Sequence, residues 1–208
     1  MSFVASIVAA MVQSAAGRSA ADQSADAETI RAWVEQSQNG DMRAFRDLYD
    51  EFLPYVRRHI RRLLGPRPEV DDVVQDVFVE VYESIESFDF DSKFRTWLYR
   101  VTRNVGISHL RGSRKTVDLA DIQPLRSEAR VFSKLEARDQ CRAMYAVLDQ
   151  VSAENREAFL LHEVEEMKLR EIAEMTDTSI NTIASRVRRT REKLRTFLEA
   201  TLSEETDE

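Results

Sequence analysis

Between Lys93 and Lys115 the chain places seven cations (Lys93, Arg95, Arg100, Arg103, Arg111, Arg114 and Lys115) and no acid. Arginine holds phosphate through charge and paired donors, and an interleaved aromatic ring stacks on an unpaired base. The chemistry implied is non-covalent capture of a nucleic-acid strand. An ordinary amphipathic helix with a solvated basic face is the plainer alternative. Against it stands the preceding segment, where nine acids (Glu69, Asp71, Asp72, Asp76, Glu80, Glu83, Glu86, Asp89 and Asp91) occur without a base. Neighbouring segments of opposite sign point to two different partners. Near the C-terminal end, Arg186, Arg188, Arg189, Arg191, Lys193 and Arg195 accompany a single acid, Glu192.

Helices are the elements that must carry these groups. With only 5 Gly and 4 Pro, none of either after Pro124, and abundant Ala, Glu, Arg and Leu, the composition predicts an all-α protein. In the basic stretch Phe94, Trp97, Leu98, Val101 and Val105 recur at helical spacing and predict the buried face. Tyr99, Arg100, Arg103, Asn104 and Arg111 fall off that stripe and are expected outside. Val70, Val73, Val74, Val77, Phe78, Val81, Tyr82 and Ile85 repeat at three and four, so periodicity overrides the strand preference of valine. The opposite face carries Asp71, Asp72, Gln75 and Asp76. Asp72 and Asp76, one turn apart, repel by a few tenths of a kcal/mol, a cost that a binding face can bear. No histidine joins them, so a metal site is not expected there.

Upstream, Ile30, Trp33 and Val34 share a face, and Asn39-Gly40-Asp41 reads as a helix stop followed by a new N-cap. Met42, Phe45, Leu48, Tyr49, Phe52, Val56, Ile60, Leu63 and Leu64 continue the pattern, with a kink or break expected at Pro54. Arg57, Arg58, Arg61 and Arg62 are read as a solvated basic face. Downstream, periodicity is lost from Gly112 to about Arg130, which reads as a linker. It resumes with Leu135, Cys141, Met144, Tyr145, Leu148 and Val151. Ser152 is the expected cap of the next helix. His162-Glu163 begins like a zinc-protease signature, but the second histidine is missing. Leu169, Ile172, Ala173 and Met175, a turn at Asp177-Thr178-Ser179, and then Ile180, Ile183, Val187, Leu194 and Phe197 form the helix-turn-helix plan.

Taken together, VDDVVQDVFVEVY, FRTWLYRVTRNVGISHLR and EIAEMTDTSINTIASRVRRTREKL resemble, in order, three segments of the extracytoplasmic-function sigma factors of bacterial RNA polymerase. The resemblance spans about Glu28 to Leu198. It implies two small helical domains joined by a flexible linker, the C-terminal one a helix-turn-helix. In that frame 1–27 is a poorly ordered extension, 28–112 sigma region 2, 113–131 the linker, 132–198 sigma region 4, and 199–208 an acidic tail. Carried over by position, Asp71, Asp72, Gln75 and Asp76 would bind core polymerase. Phe88, Phe90, Lys93, Tyr99, Arg100, Arg103, Asn104 and Arg111 would handle the minus-ten strand. Thr182, Ala184, Ser185, Arg186, Arg188 and Arg189 would meet the minus-thirty-five duplex, with Arg186 and Arg189 on phosphates.

Four positions depart from the family pattern. Ser108 stands in place of an acid, and Asp89 and Asp91 make the melting loop acidic. Asp177 replaces a turn glycine, and Ala184 replaces a Lys or Arg. The resemblance implies core RNA polymerase, promoter DNA and an anti-sigma factor as partners, with no cofactor, no metal and no enzymatic step.

The net charge of −7 would by itself count against DNA binding, but it conceals the segregation of sign along the chain. Cys141 is the one cysteine, which excludes an internal disulfide and fits a reducing, cytoplasmic setting. The apolar run Phe3 to Val12 lacks a preceding basic segment and is too short to span a bilayer, so no membrane insertion is expected. A stand-alone helix-turn-helix regulator would account for Leu169 to Leu198 but not for the acidic and basic pair. A mimic that only sequesters an inhibitor would not need the cations of 93–115. An enzyme would need a phosphate loop, nucleophile motif or ligand cluster, and the sequence offers none.

Overall fold

The computed structural model describes residues 25–116 and 137–203, which form eight α-helices and a single 3-10 turn, with no strand among them. Two compact units part between His109 and Leu110.

The first unit contains α1 (Ala27–Gln38), α2 (Met42–Leu64), α3 (Val70–Ser84), a 3-10 turn (Ile85–Ser87) and most of α4 (Phe94–Thr116). Asp26 caps α1, accepting from the Thr29 N–H at 2.7 Å. Gly40, at φ +85°, ends that helix in a backbone conformation that favours glycine. Asp41 then caps α2, accepting from Arg43 N at 2.8 Å and Ala44 N at 3.4 Å. Of the kink or break expected at Pro54, the break does not occur, since α2 runs through it. Pro54 and Asp50 are both exposed, so the carbonyl left without its donor faces water. Phe52, Val56 and Ile60 hold both sides of the proline in the core.

Helix α3 buries Val70, Val73, Val74, Val77, Phe78 and Val81. Full burial of a valine contributes about 1.5–3 kcal/mol. Its helix-propensity deficit against alanine is only about 0.5 kcal/mol, so burial decides the local structure. Gly106 lets α4 lie close on α2. A Cβ there would sit 2.7 Å from Leu63 Cδ2 and 3.1 Å from Ile60 Cδ1.

In the second unit come α5 (Ala137–Leu148), α6 (Ala153–Glu163), α7 (Leu169–Met175) and α8 (Ile180–Ser203). Ser152 caps α6 as expected, accepting from Asn155 N at 3.2 Å. Ser179 caps α8 through Thr182 N at 3.1 Å. Asp177 adopts φ +50° in the turn between α7 and α8, a conformation aspartate reaches more readily than most residues. Two apolar clusters result. Met144, Leu148, Phe159, Leu160 and Leu194 tie α5, α6 and α8 together. Ala158, Leu161, Ile172, Ala173, Ile183 and Val187 join α6, α7 and α8. Arg156 was not singled out by the sequence, yet its side chain is buried, ion-paired with Asp149 and 5.1 Å from the centre of the Tyr145 ring.

Helix α4 continues past Gly112 to Thr116, four residues beyond the expected start of the linker. Readings that fall on 1–24, 117–136 and 204–208 (most of the extension, most of the linker, Leu135 of the resumed helical pattern, and the end of the tail) lie outside the described residues.

Candidate functional site

The acidic face of α3 is open to solvent at Asp71, Asp72, Gln75 and Asp76. Asp71 Oδ1 lies 3.1 Å from Arg57 Nε, an exposed pair of the kind worth at most about 1 kcal/mol. This gives the Arg57 to Arg62 cluster a partner within the chain. No ion pair or side-chain hydrogen bond joins Asp72, Gln75 or Asp76 to another described residue. Val79, on the same side of the helix, is 56% exposed. Between α3 and α4 runs a groove of about 690 Å³, with Asp76, Val79 and Glu80 on one wall and Trp97, Val101 and Asn104 on the other.

The basic face of α4 is partly as expected. Lys93, Arg100, Asn104 and Arg111 are exposed, and Arg103 is half-buried. Arg95 stacks over the Tyr55 ring at 4.6 Å. Tyr99 is a correction. Its ring is buried, 4% exposed, and meets His59 edge-on at 4.9 Å, so it offers no open surface to a base. The buried row of α4 is Phe94, Leu98, Tyr99, Thr102, Gly106, Ile107 and Leu110, turned from the expected stripe. Thr102 is tolerated there because its hydroxyl donates to the Leu98 carbonyl at 2.8 Å. Trp97, Val101 and Val105, expected inside, are half-buried and line the groove.

Phe88 is a second correction. It is 4% exposed and packs against Phe90 at 4.8 Å, Trp97 at 5.5 Å and Phe94 at 5.7 Å between ring centres. It supports the loop and does not present itself to a strand. Phe90 is half-buried at φ +67°, an outlying conformation for a bulky residue, with the Arg31 guanidinium 4.8 Å from its ring centre. Sequence reasoning missed Gln38, whose amide donates to the Ile85 carbonyl at 2.9 Å and the Phe88 carbonyl at 2.8 Å, pinning the loop to α1. Nothing in a lone glutamine 47 and 50 residues away signals this.

His59 lies beneath the basic helix. Its Nε2 is shielded from solvent without a hydrogen-bond partner. Burial, then the Arg62 and Arg103 charges, push its pKa down to about 4. The folded state therefore resists protonation. This contribution to stability is fully present above the unfolded value near 6.5 and is lost as pH falls through about 4, up to about 3 kcal/mol in all. Both tryptophans, Trp33 and Trp97, belong to this unit. Denaturant unfolding followed by their fluorescence is expected to show the acid-side loss, and His59→Phe to remove most of it. An unchanged acid slope in that variant would contradict the assignment.

On α8, Arg188 and Arg189 are exposed, while Thr182, Ala184, Ser185 and Arg186 are half-buried. The Ser185 hydroxyl donates to the Thr182 carbonyl at 2.9 Å. Arg188 Nη1 donates to Glu192 Oε1 at 2.8 Å. Arg191 is ion-paired with Glu163, and Lys193 Nζ donates to the Gln150 carbonyl at 3.1 Å. These last two cations are turned toward the unit itself.

Residues 48–116 match the family model "Sigma-70 region 2" and residues 141–194 match "Sigma-70, region 4". The ECF RNA polymerase sigma factor SigW of Bacillus subtilis (strain 168) is 26% identical over 177 residues, 80% of this chain and 95% of that protein. The ECF RNA polymerase sigma-E factor of Haemophilus influenzae is 29% identical over 80% of this chain and 93% of that protein. The solved structure of CnrH in complex with the cytosolic domain of CnrY superposes with a TM-score of 0.53 at 28% identity, covering 83% of this chain and 98% of that one. With an open acidic face, a basic helix and a capped helix-turn-helix inside those matched segments, the chain belongs to the ECF group of RNA polymerase sigma factors.

Proposed function

We propose that this chain joins core RNA polymerase through the α3 face of Asp72, Gln75 and Asp76, with Asp71 at its margin, and directs the enzyme to a specific promoter set. It is a non-enzymatic initiation subunit. The observation that carries the reading is the α3 face, where Asp72, Gln75 and Asp76 have no ion pair or side-chain hydrogen bond to another described residue, beside a helix of opposite charge. A stand-alone DNA-binding protein has no use for such a face. Lys93, Arg100, Arg103 and Asn104 hold the minus-ten strand, with Phe90 at the edge of the loop, and Arg111 joins them by giving up its ion pair with Glu154. Ala184, Ser185 and Arg188 face the minus-thirty-five bases, Arg186 and Arg189 grip phosphates, and Thr182 lies at the same duplex. Work of this kind places the protein in the cytoplasm. Among the described residues no helix is long and apolar enough to cross a membrane. CnrH is solved in complex with the cytosolic domain of CnrY, and an anti-sigma protein is a further partner we propose for this chain.

Reconstitution tests the whole reading: core polymerase plus this chain should yield promoter-dependent transcripts that core alone does not. Duplex binding without any association with core would overturn it. The two exposed arginines of α8 should separate. Arg188→Ala is expected to relax preference at one or two upstream positions by about 1–3 kcal/mol, the worth of a bidentate arginine-guanine contact. Arg189→Ala should weaken binding to all sequences alike and reduce the salt slope by nearly one counterion. Competition binding of holoenzyme at two salt concentrations distinguishes these outcomes.

A further inference from the structure

We propose that Glu192 is a positioning residue for promoter reading, its carboxylate holding the Arg188 guanidinium so that one edge faces a guanine. The proposal rests on the assignment of Arg188 to the bases. Arg188 Nη1 donates to Glu192 Oε1 at 2.8 Å, one helical turn further on. Nη1 is the terminal nitrogen nearer Cδ. The opposite edge, formed by Nε–H and Nη2–H, is therefore left for two parallel bonds to guanine O6 and N7. Both side chains are largely exposed, at 66% and 51%, so the pair adds little to folding. What it does supply is orientation, restricting a long side chain before DNA arrives and lowering the ordering cost at binding.

The neighbours support a division of roles. Glu192 is the sole acid between Ser179 and Leu198. Among the described residues it pairs with Arg188, while Arg191 is engaged by Glu163. Arg186 and Arg189 show no ion pair to another described residue and are left to follow phosphates. A carboxylate this near DNA opposes affinity. Its gain must appear as discrimination.

The test uses holoenzyme reconstituted from core polymerase and the full chain, with Glu192→Gln, Arg188→Ala and the double variant. Each selects from a duplex library randomised over the upstream element at two salt concentrations. Arg188→Ala should lose about tenfold discrimination at the position it reads, within the range of one bidentate contact. Glu192→Gln should lose about threefold at that same position, the order expected of one exposed ion pair. It should also bind all duplexes more tightly, with a steeper salt dependence. The double variant should discriminate no worse than Arg188→Ala alone. A lowered melting temperature with wild-type discrimination and salt slope in Glu192→Gln would make the role structural and overturn the proposal. Loss in Arg188→Ala with none in Glu192→Gln would also overturn it. Wild-type discrimination in Arg188→Ala would instead remove the base-reading assignment on which the proposal rests.

Discussion

Tyr99→Ala is expected to destabilise the first unit by about 3–5 kcal/mol, the usual cost of deleting a buried aromatic ring. The ring is 4% exposed and lies edge-on to His59, in the row of α4 that packs toward Ile60 and Leu63. Removing it would leave a cavity and bring water toward an imidazole that has no hydrogen bond at Nε2. The loss would be seen as a shifted denaturation midpoint in tryptophan fluorescence. Strand opening would slow as well, but only as a consequence of the damaged support. Asn104→Ala is the cleaner probe of DNA contact, because Asn104 is exposed and surface changes usually alter stability by no more than about 0.5 kcal/mol. It should leave the midpoint and closed-complex binding unchanged while lowering permanganate reactivity of unpaired thymines. A Tyr99→Ala protein as stable as wild type would show that the ring is not part of the core. An Asn104→Ala holoenzyme that opens promoters normally would remove Asn104 from the strand-binding face.

The misplacement of Tyr99 shows where sequence stops being informative. Phe94 and Leu98 were identified correctly, since large apolar residues one turn apart announce a buried face. The continuation of that row through Thr102 and Gly106 to Leu110 was not legible. Threonine reads as polar until its hydroxyl is seen bonded to the Leu98 carbonyl, and glycine carries no hydrophobic signal though close helix approach needs it. Trp97, Val101 and Val105 then drew the expected stripe toward a groove wall. Caps fared better because they are local: Asp41 and Ser152 each bond an N–H two or three residues away. The charge segregation was equally legible, being a property of composition along the chain. Pairings across the fold were not. Arg57 with Asp71, Arg191 with Glu163, and Gln38 with the loop carbonyls depend on which helices meet, and they decide which charges remain available to a partner.

That distinction matters most on α3. Gln75→Ala combined with Asp76→Ala is expected to weaken core-polymerase binding by about 2–5 kcal/mol if these groups become buried against cations of the partner. Both side chains are exposed and lie off the row of Val73, Val74, Val77 and Phe78, so the substitutions leave no cavity. Asp76 and Asp72 are one turn apart, and removing one of two like charges relieves a few tenths of a kcal/mol of repulsion. The variant should therefore fold at least as well as wild type while binding worse. Asp71→Ala should matter less, because Asp71 is already drawn toward Arg57 at 3.1 Å. Affinity measured by competition against wild-type chain for a fixed amount of core, with helicity checked in parallel, separates binding from folding. Undiminished affinity in the Gln75/Asp76 double variant would remove this face from the interface. A loss in Asp71→Ala as large as in the double variant would move the interface toward the start of α3, where the Arg57 pair would have to open before polymerase could dock.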